Sequence, residues 1–188
     1  MARRYPSLTP DLMEFIAAQP VFFVATATAQ SRINLSPKGL DSLRVLDPNR
    51  IAWMNLTGSG NETAAHVRRA SRMTIMFCSF GKEPLILRLY GAATAVHHGD
   101  AAWAQQVGLF GALPDDVRTG ARQIFDMRID LVQTSCGFGV PYCESMQPRS
   151  RLADWIRSKG VSGIRRYWRE KNRFSIDGEE TGIPDGEP

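Results

Sequence analysis

The chain has 188 residues, 43% hydrophobic and 22% charged, which suits one domain with a sizeable core and excludes an intrinsically disordered protein. Its formal charge of +4 is uneven: residues 175–188 hold five acids and no base, leaving 23 bases against 14 acids in residues 1–174. A basic body of that kind suits nucleic acid, an anionic surface or a phosphorylated small molecule, and charge alone does not choose among them.

Arg3 and Arg4 precede the apolar run 21–29, but Pro6, Asp11, Glu14 and Pro20 intervene, unlike a secretory leader. No stretch approaches the roughly 20 apolar residues of a membrane span, and a cytoplasmic location is expected. Residues 9–18 predict a helix, with Thr9 as cap, Pro10 in the first turn, and Leu12, Phe15 and Ile16 on one face. Val21–Thr28 is rich in β-branched and aromatic residues, and Arg32–Ser36 alternates, so both read as strands joined by a hairpin at Ala29–Ser31. Leu43–Leu46 and Ile51–Leu56 follow, separated by the turn Asp47-Pro48-Asn49-Arg50. Thr57–Thr63 leads into a helix at Ala64–Ala70, with Ser59 and Glu62 at the spacing of a capping box.

Met73–Phe80 and Leu85–Val96 are further strands, the second with a bulge or bend expected at Gly91. Asp100–Phe110, capped by Asp100, and Pro114–Ile124 read as helical. Phe125–Thr134 returns to alternation and places Met127, Ile129 and Leu131 on one face. Cys136–Pro141 is a glycine-punctuated loop, and Leu152–Trp168 a helix interrupted around Gly160 and Gly163, with Trp155, Tyr167 and Trp168 available to pack it down. Short connections imply antiparallel neighbours. The fold class is therefore mainly β (α+β), a closed or nearly closed antiparallel barrel with flanking helices. A barrel domain spans 1–150, a helical extension 151–176 packs on the barrel or on a dimer partner, and the acidic end 177–188 frays.

Cys78, Cys136 and Cys143 form no CxxC, and with only His66, His97 and His98 beside them no zinc set is recognisable. Reduced structural thiols are the plain reading, with redox contact to a cofactor at Cys136 and Cys143 as the sharper one. His66 suits a core or interface position, and His97 and His98 a strand end in solvent. The arginines at 165–173 read as a solvated helix face.

Two segments carry chemistry. The first is the strand Ile51–Leu56 followed by a polar, glycine-containing turn into a helix. Free backbone N–H groups at a helix start and the helix dipole favour an anion. An ordinary capped helix gives the same pattern. The second is Arg32-Ile33-Asn34-Leu35-Ser36-Pro37-Lys38-Gly39, whose alternation places a guanidinium, an amide and a hydroxyl on one strand face, with Lys38 at its end. A solvent-facing edge strand remains the alternative.

Taken in order, Phe22–Ala27, Arg32–Gly39, Ile51-Ala52-Trp53, Gly58–Thr63 and Leu85–Gly91 resemble the FMN-binding split barrels related to pyridoxamine 5′-phosphate oxidase. The resemblance covers residues 10–135. It implies a six-stranded antiparallel split barrel that forms a homodimer, with FMN in clefts at the subunit interface. It also implies that Arg32 meets the phosphate, that Ile33, Asn34, Leu35 and Ser36 run along the isoalloxazine, and that Thr57, Gly60, Asn61 and Thr63 grip the phosphate. Lys38 and Arg88 are further cofactor candidates.

Two departures stand out. Where the oxidases place a serine followed by two basic residues, this chain has Asn61-Glu62-Thr63. Nothing after Leu152 matches the oxidases' C-terminal Arg-Leu-His-Asp-Arg stretch, so oxidation of pyridoxamine phosphate itself is not expected. Lys171–Gly178 occupies the comparable late position, where Trp168 or Arg173 would lie over a partner's flavin. The expected activity is an FMN-dependent oxidoreductase acting on another small molecule, with no protein acid or base nameable. The alternatives are a non-catalytic flavin store, or the same barrel holding deazaflavin or haem. Nucleic acid and membrane are not expected partners.

Overall fold

Short turns between apolar runs fold this chain into one antiparallel sheet, described by a computed structural model over residues 2–184. The strands are β1 (Arg3–Tyr5), β2 (Phe22–Thr26), β3 (Asn34–Lys38), β4 (Leu43–Asp47), β5 (Arg50–Leu56), β6 (Arg72–Cys78), β7 (Ile86–His97) and β8 (Ala121–Ser135). The helices are α1 (Pro10–Ala17), α2 (Glu62–Arg69), α3 (Trp103–Val107), α4 (Asp115–Arg118) and α5 (Arg151–Lys171). Seven strands lie in the order β3-β2-β6-β7-β8-β5-β4. The long β8 shares its second edge between β5 and the short β1. The expected antiparallel α+β split-barrel architecture is present, with eight strands rather than six. It is not closed, because β3 and β4 end the path without pairing. They are joined by residues 39–42, where Leu40 and Asp41 take left-handed φ values of 61° and 54°.

The barrel interior is apolar. Trp53 stacks on Phe125 with ring centroids 4.9 Å apart and meets Phe22 edge-on at 6.2 Å. Leu12 and Ile16 of α1 join this cluster, and the Thr9 hydroxyl accepts the Leu12 N–H as the sequence predicts. A second cluster covers the outer face of β5 and β8, where Ala52, Met54, Ala121 and Ile124 pack against Phe110 and Leu113. This double burial is why Ile51–Leu56 reads as a continuous apolar run rather than an alternating one.

A bulge forms opposite Gly91, but its extra residue is Asp130 on β8: Leu131 pairs with Tyr90 and Ile129 with Gly91. A Cβ on Gly91 would lie 1.9 Å from the Arg128 carbonyl oxygen, so the close approach requires glycine. The bulge corrects one expectation. Met127 and Ile129 are buried, but beyond the shift Val132 and Thr134 point inward and Leu131 turns outward.

The segment 114–124 is helical only over Asp115–Arg118, because β8 already begins at Ala121 to pair with the end of β5. Asp100 does not cap α3; its carboxylate accepts the His97 N–H. His97 is buried rather than solvent-facing. The interruption at Gly160 is present, with φ 62° and ψ 178°, and the two halves of α5 meet through Trp155 and Tyr167 at 5.1 Å. The end of the chain does not fray over 177–184: Thr181 is fully buried and Ile183 packs with Ile156, Ile164 and Trp168. Residues 185–188 of that expectation lie outside the described residues.

Candidate functional site

The two segments singled out in the sequence converge. Pairing of Thr26 with Asn34 sets β3 against β2, and the Asn34 side-chain amide donates to Thr63 Oγ1 at the start of α2, 3.0 Å away. Between them opens a cleft of about 790 Å³, within the roughly 300–1,000 Å³ range of ligand pockets. Arg32, Ile33, Asn34, Leu35, Ser36, Lys38, Gly60, Asn61 and Thr63 all line it.

Thr57 and Arg88 do not line it. Thr57 lies behind the turn, its hydroxyl donating to the Gly120 carbonyl and accepting from Trp168 Nε1, each at 2.7 Å. Arg88 belongs to β7 and donates to Ser135 Oγ on β8. The ladder also begins later than expected, at Asn34. Asn34, Ser36 and Lys38 share the more buried side of β3, while Arg32 stands ahead of the strand with its side chain 72% exposed.

The strongest feature of the cleft was not visible in the sequence reading. Arg122, at the start of β8, is buried and donates to the carbonyls of Gly60 at 2.8 Å and Gly58 at 3.2 Å. Its Nε is buried with no partner among the described residues. Burial brings its pKa down to about 10, against the pull of Glu62 and Tyr167. Lys38 lies 5.2 Å from the centroid of the Trp53 ring. Burial, and then the charge of Arg122, bring its pKa down to about 8, while Glu62 acts the other way. Both shifts have one physical origin: charged groups removed from water with too little opposite charge nearby. An arginine flanked by Ala121 and Gln123, just ahead of the apolar Ile124–Phe125, was the available signal, masked by the helical reading of that segment.

The turn itself is held from behind. The Asn172 side-chain amide donates to the carbonyls of Gly58 and Ser59 at 3.1 and 3.3 Å, and the Asn172 backbone carbonyl accepts from Asn61 Nδ2. With those carbonyls engaged by Arg122 and Asn172, the first N–H groups of α2 remain without intrahelical partners beside the cleft. The expected capping box does not form: Asn61 is the cap residue without a side-chain cap bond, and Glu62 instead accepts the Ile176 N–H at 3.3 Å.

Lys171, Phe174, Ser175 and Ile176 complete the wall, so the late segment does reach the site, within its own chain. Trp168 is buried behind the turn of that same chain. Arg173 lies against the ring of Phe174, 5.8 Å from its centroid. His66 is a core histidine on α2, its Nδ1 3.0 Å from Thr26 Oγ1. Cys136 and Cys143 are exposed and Cys78 is buried, all three as free thiols.

Comparison with known proteins adds the following. The pyridoxamine 5′-phosphate oxidase family model matches residues 8–136. The pyridoxamine 5′-phosphate oxidase family protein ustO of Aspergillus flavus is 36% identical over 192 residues, covering 93% of this chain and 75% of that protein. Among solved structures, a pyridoxamine 5′-phosphate oxidase-related, FMN binding protein of Nostoc punctiforme is 14% identical with a TM-score of 0.54, over 73% of this chain and 89% of that one. HupZ of Group A Streptococcus is 19% identical with a TM-score of 0.51, over 66% of this chain and 91% of that one. At such identities the two structures establish the fold alone.

Proposed function

This chain belongs to the pyridoxamine 5′-phosphate oxidase family, and we propose that it binds FMN in the cleft between β3 and α2 and acts as an FMN-dependent oxidoreductase on a substrate other than pyridoxamine phosphate. The observation that carries the reading is the half-buried Lys38 and the buried Arg122 facing one cleft, with Glu62 as the carboxylate that acts on both. Burying charge without a partner is costly, and a phosphate dianion offsets that cost.

The residues present fit such a group. Lys38, Arg122 and the amides of the 60–63 turn would hold the phosphate, and Arg122 fixes the turn through the Gly58 and Gly60 carbonyls. Arg122 Nε and Asn61 Oδ1 are buried without partners. The more buried side of β3, with Asn34 and Ser36, offers polar groups to a heterocycle, and Ile33 and Leu35 supply apolar surface. When bound, FMN supplies the hydride and electron transfer, and the protein supplies placement and electrostatics. The absence of the oxidases' late Arg-Leu-His-Asp-Arg stretch, and the presence of Phe174 and Ile176 along the cleft wall, favour a different substrate.

The reading extends to a cytoplasmic homodimer with the cleft at the subunit boundary. β3 is an edge strand, and Ile33 and Leu35 beside the cleft are 78% and 63% exposed, an apolar surface that a second copy would cover. Two exposed free thiols suit a reducing compartment. Among the described residues no helix is long and apolar enough to cross a membrane.

The test is the absorption spectrum of the purified protein, before and after loading with excess FMN. We expect a flavin band that stays with the protein through gel filtration at about one flavin per chain. A Soret band, a deazaflavin spectrum, or failure to retain added FMN overturns the reading.

A further inference from the structure

Residues 172–183 return from α5 along the wall of the cleft as a tight hairpin with two unlike ends. The base is deeply anchored. Asn172 and Thr181 are fully buried, Thr181 Oγ1 donates to the Asn172 carbonyl at 2.7 Å, and the Thr181 N–H donates to the Arg173 carbonyl. The turn is built from its own polar groups: the Ser175 N–H donates to the Glu179 carbonyl at 2.8 Å, the Glu179 N–H donates to Ser175 Oγ, and Gly178 takes φ 81°.

The tip is held differently. The Ile176 N–H reaches Glu62, and the Asp177 carboxylate accepts both the Arg32 backbone N–H, at 2.8 Å, and the Arg32 guanidinium. The Arg32 side chain is 72% exposed and that of Asp177 16%, and an ion pair with one partner in water contributes little free energy. Between these contacts Phe174 and Ile176 line the cleft while remaining 51% and 71% exposed, as groups on a loosely held cover would.

We propose that residues 174–178 are a lid over the cleft, hinged on the buried Asn172–Thr181 base, and that Asp177 is the latch that closes it onto Arg32. The lid is a property of this chain whatever the cleft holds; that it governs flavin exchange rests on the function proposed above. Arg32 thereby has a partner inside its own chain. Asp177 acts as a positioning residue that sets where the Arg32 guanidinium stands and how long the hairpin stays down.

The test compares wild type, Asp177→Asn, Asp177→Glu and Arg32→Ala by hydrogen exchange without flavin and by flavin release from the loaded protein. In Asp177→Asn and Arg32→Ala the amides of 174–178 are expected to exchange about fivefold faster, as are those of the cleft floor, Gly58–Thr63. Thr181 should stay as protected as in wild type, and Asp177→Glu should restore most of the effect. Flavin release should quicken by a similar factor. Unchanged exchange at the tip overturns the latch. Faster tip exchange with an unchanged floor and unchanged flavin release overturns the lid. A wild-type protein that holds no flavin counts against the proposed function, and the floor amides then decide the lid on their own.

Discussion

Strand β5 serves two regions at once. Trp53 stacks on Phe125 inside the barrel, while Asn55, two residues later, is buried at the cleft with its Oδ1 unpaired. In the barrel, aromatic and aliphatic side chains from α1 and the strands satisfy one another by packing alone. Near the cleft, Asn55 Oδ1, Asn61 Oδ1, Arg122 Nε and Asn172 Oδ1 are buried without partners among the described residues, each a cost of about 1–3 kcal/mol. The contrast teaches that the interior stabilises the fold, whereas the cleft is a local expense that the interior offsets and that a polar ligand would relieve.

That comparison can be broken from either side. The largest effect is expected in the barrel: Trp53→Ala removes the ring shared by Phe22, Phe125 and Lys38 and should cost about 3–5 kcal/mol in denaturant unfolding. In the cleft, Arg122→Leu should do the opposite. It removes two charge-assisted hydrogen bonds and should weaken FMN binding by about a hundredfold, yet change stability by no more than about 1 kcal/mol, since a poorly compensated buried charge goes with it. If Arg122→Leu unfolds the protein as severely as Trp53→Ala, the cleft is structural and the division fails.

A smaller, pH-dependent effect sharpens the same contrast. Lys38 on the cleft wall has a pKa of about 8, so its ammonium is progressively lost above that pH. Affinity for a phosphorylated ligand should fall by up to about tenfold per pH unit there, and Lys38→Met should abolish this dependence in a fluorescence titration. For the ligand-free fold the sign reverses. The folded pKa lies below the ordinary 10.5, so between about 8 and 10.5 the folded state binds fewer protons than the unfolded one. Lys38 should therefore make stability rise with pH across that window. A flat affinity profile in wild type would remove Lys38 from the anion site.

Much of this was legible in the sequence, because the signals are local. The capped α1, the β2–β3 and β4–β5 hairpins, an irregularity at Gly91 and the break at Gly160 each follow from a few adjacent residues. So did the two cleft-lining segments, since alternation fixes one face of β3 and a helix start always leaves N–H groups free. The shift from basic body to acidic end was visible too, but it was read as a loose tail. In the fold those acids turn back on the bases, Asp177 onto Arg32 and Glu180 to within 3.9 Å of Arg68.

What the sequence by itself determined was the kind of element at each place and the chemistry each could present. Only the tertiary structure decided which of those chemistries meet. Arg122 stands under the 58–60 turn because β8 pairs with the end of β5, far away in the chain. Leu131 faces outward because one unpaired residue at the bulge reverses the alternation beyond it. Asp177 finds Arg32 across 145 positions of sequence. Such encounters depend on register and chain return, which are set by the packing of the whole sheet and leave no mark in any short window of residues.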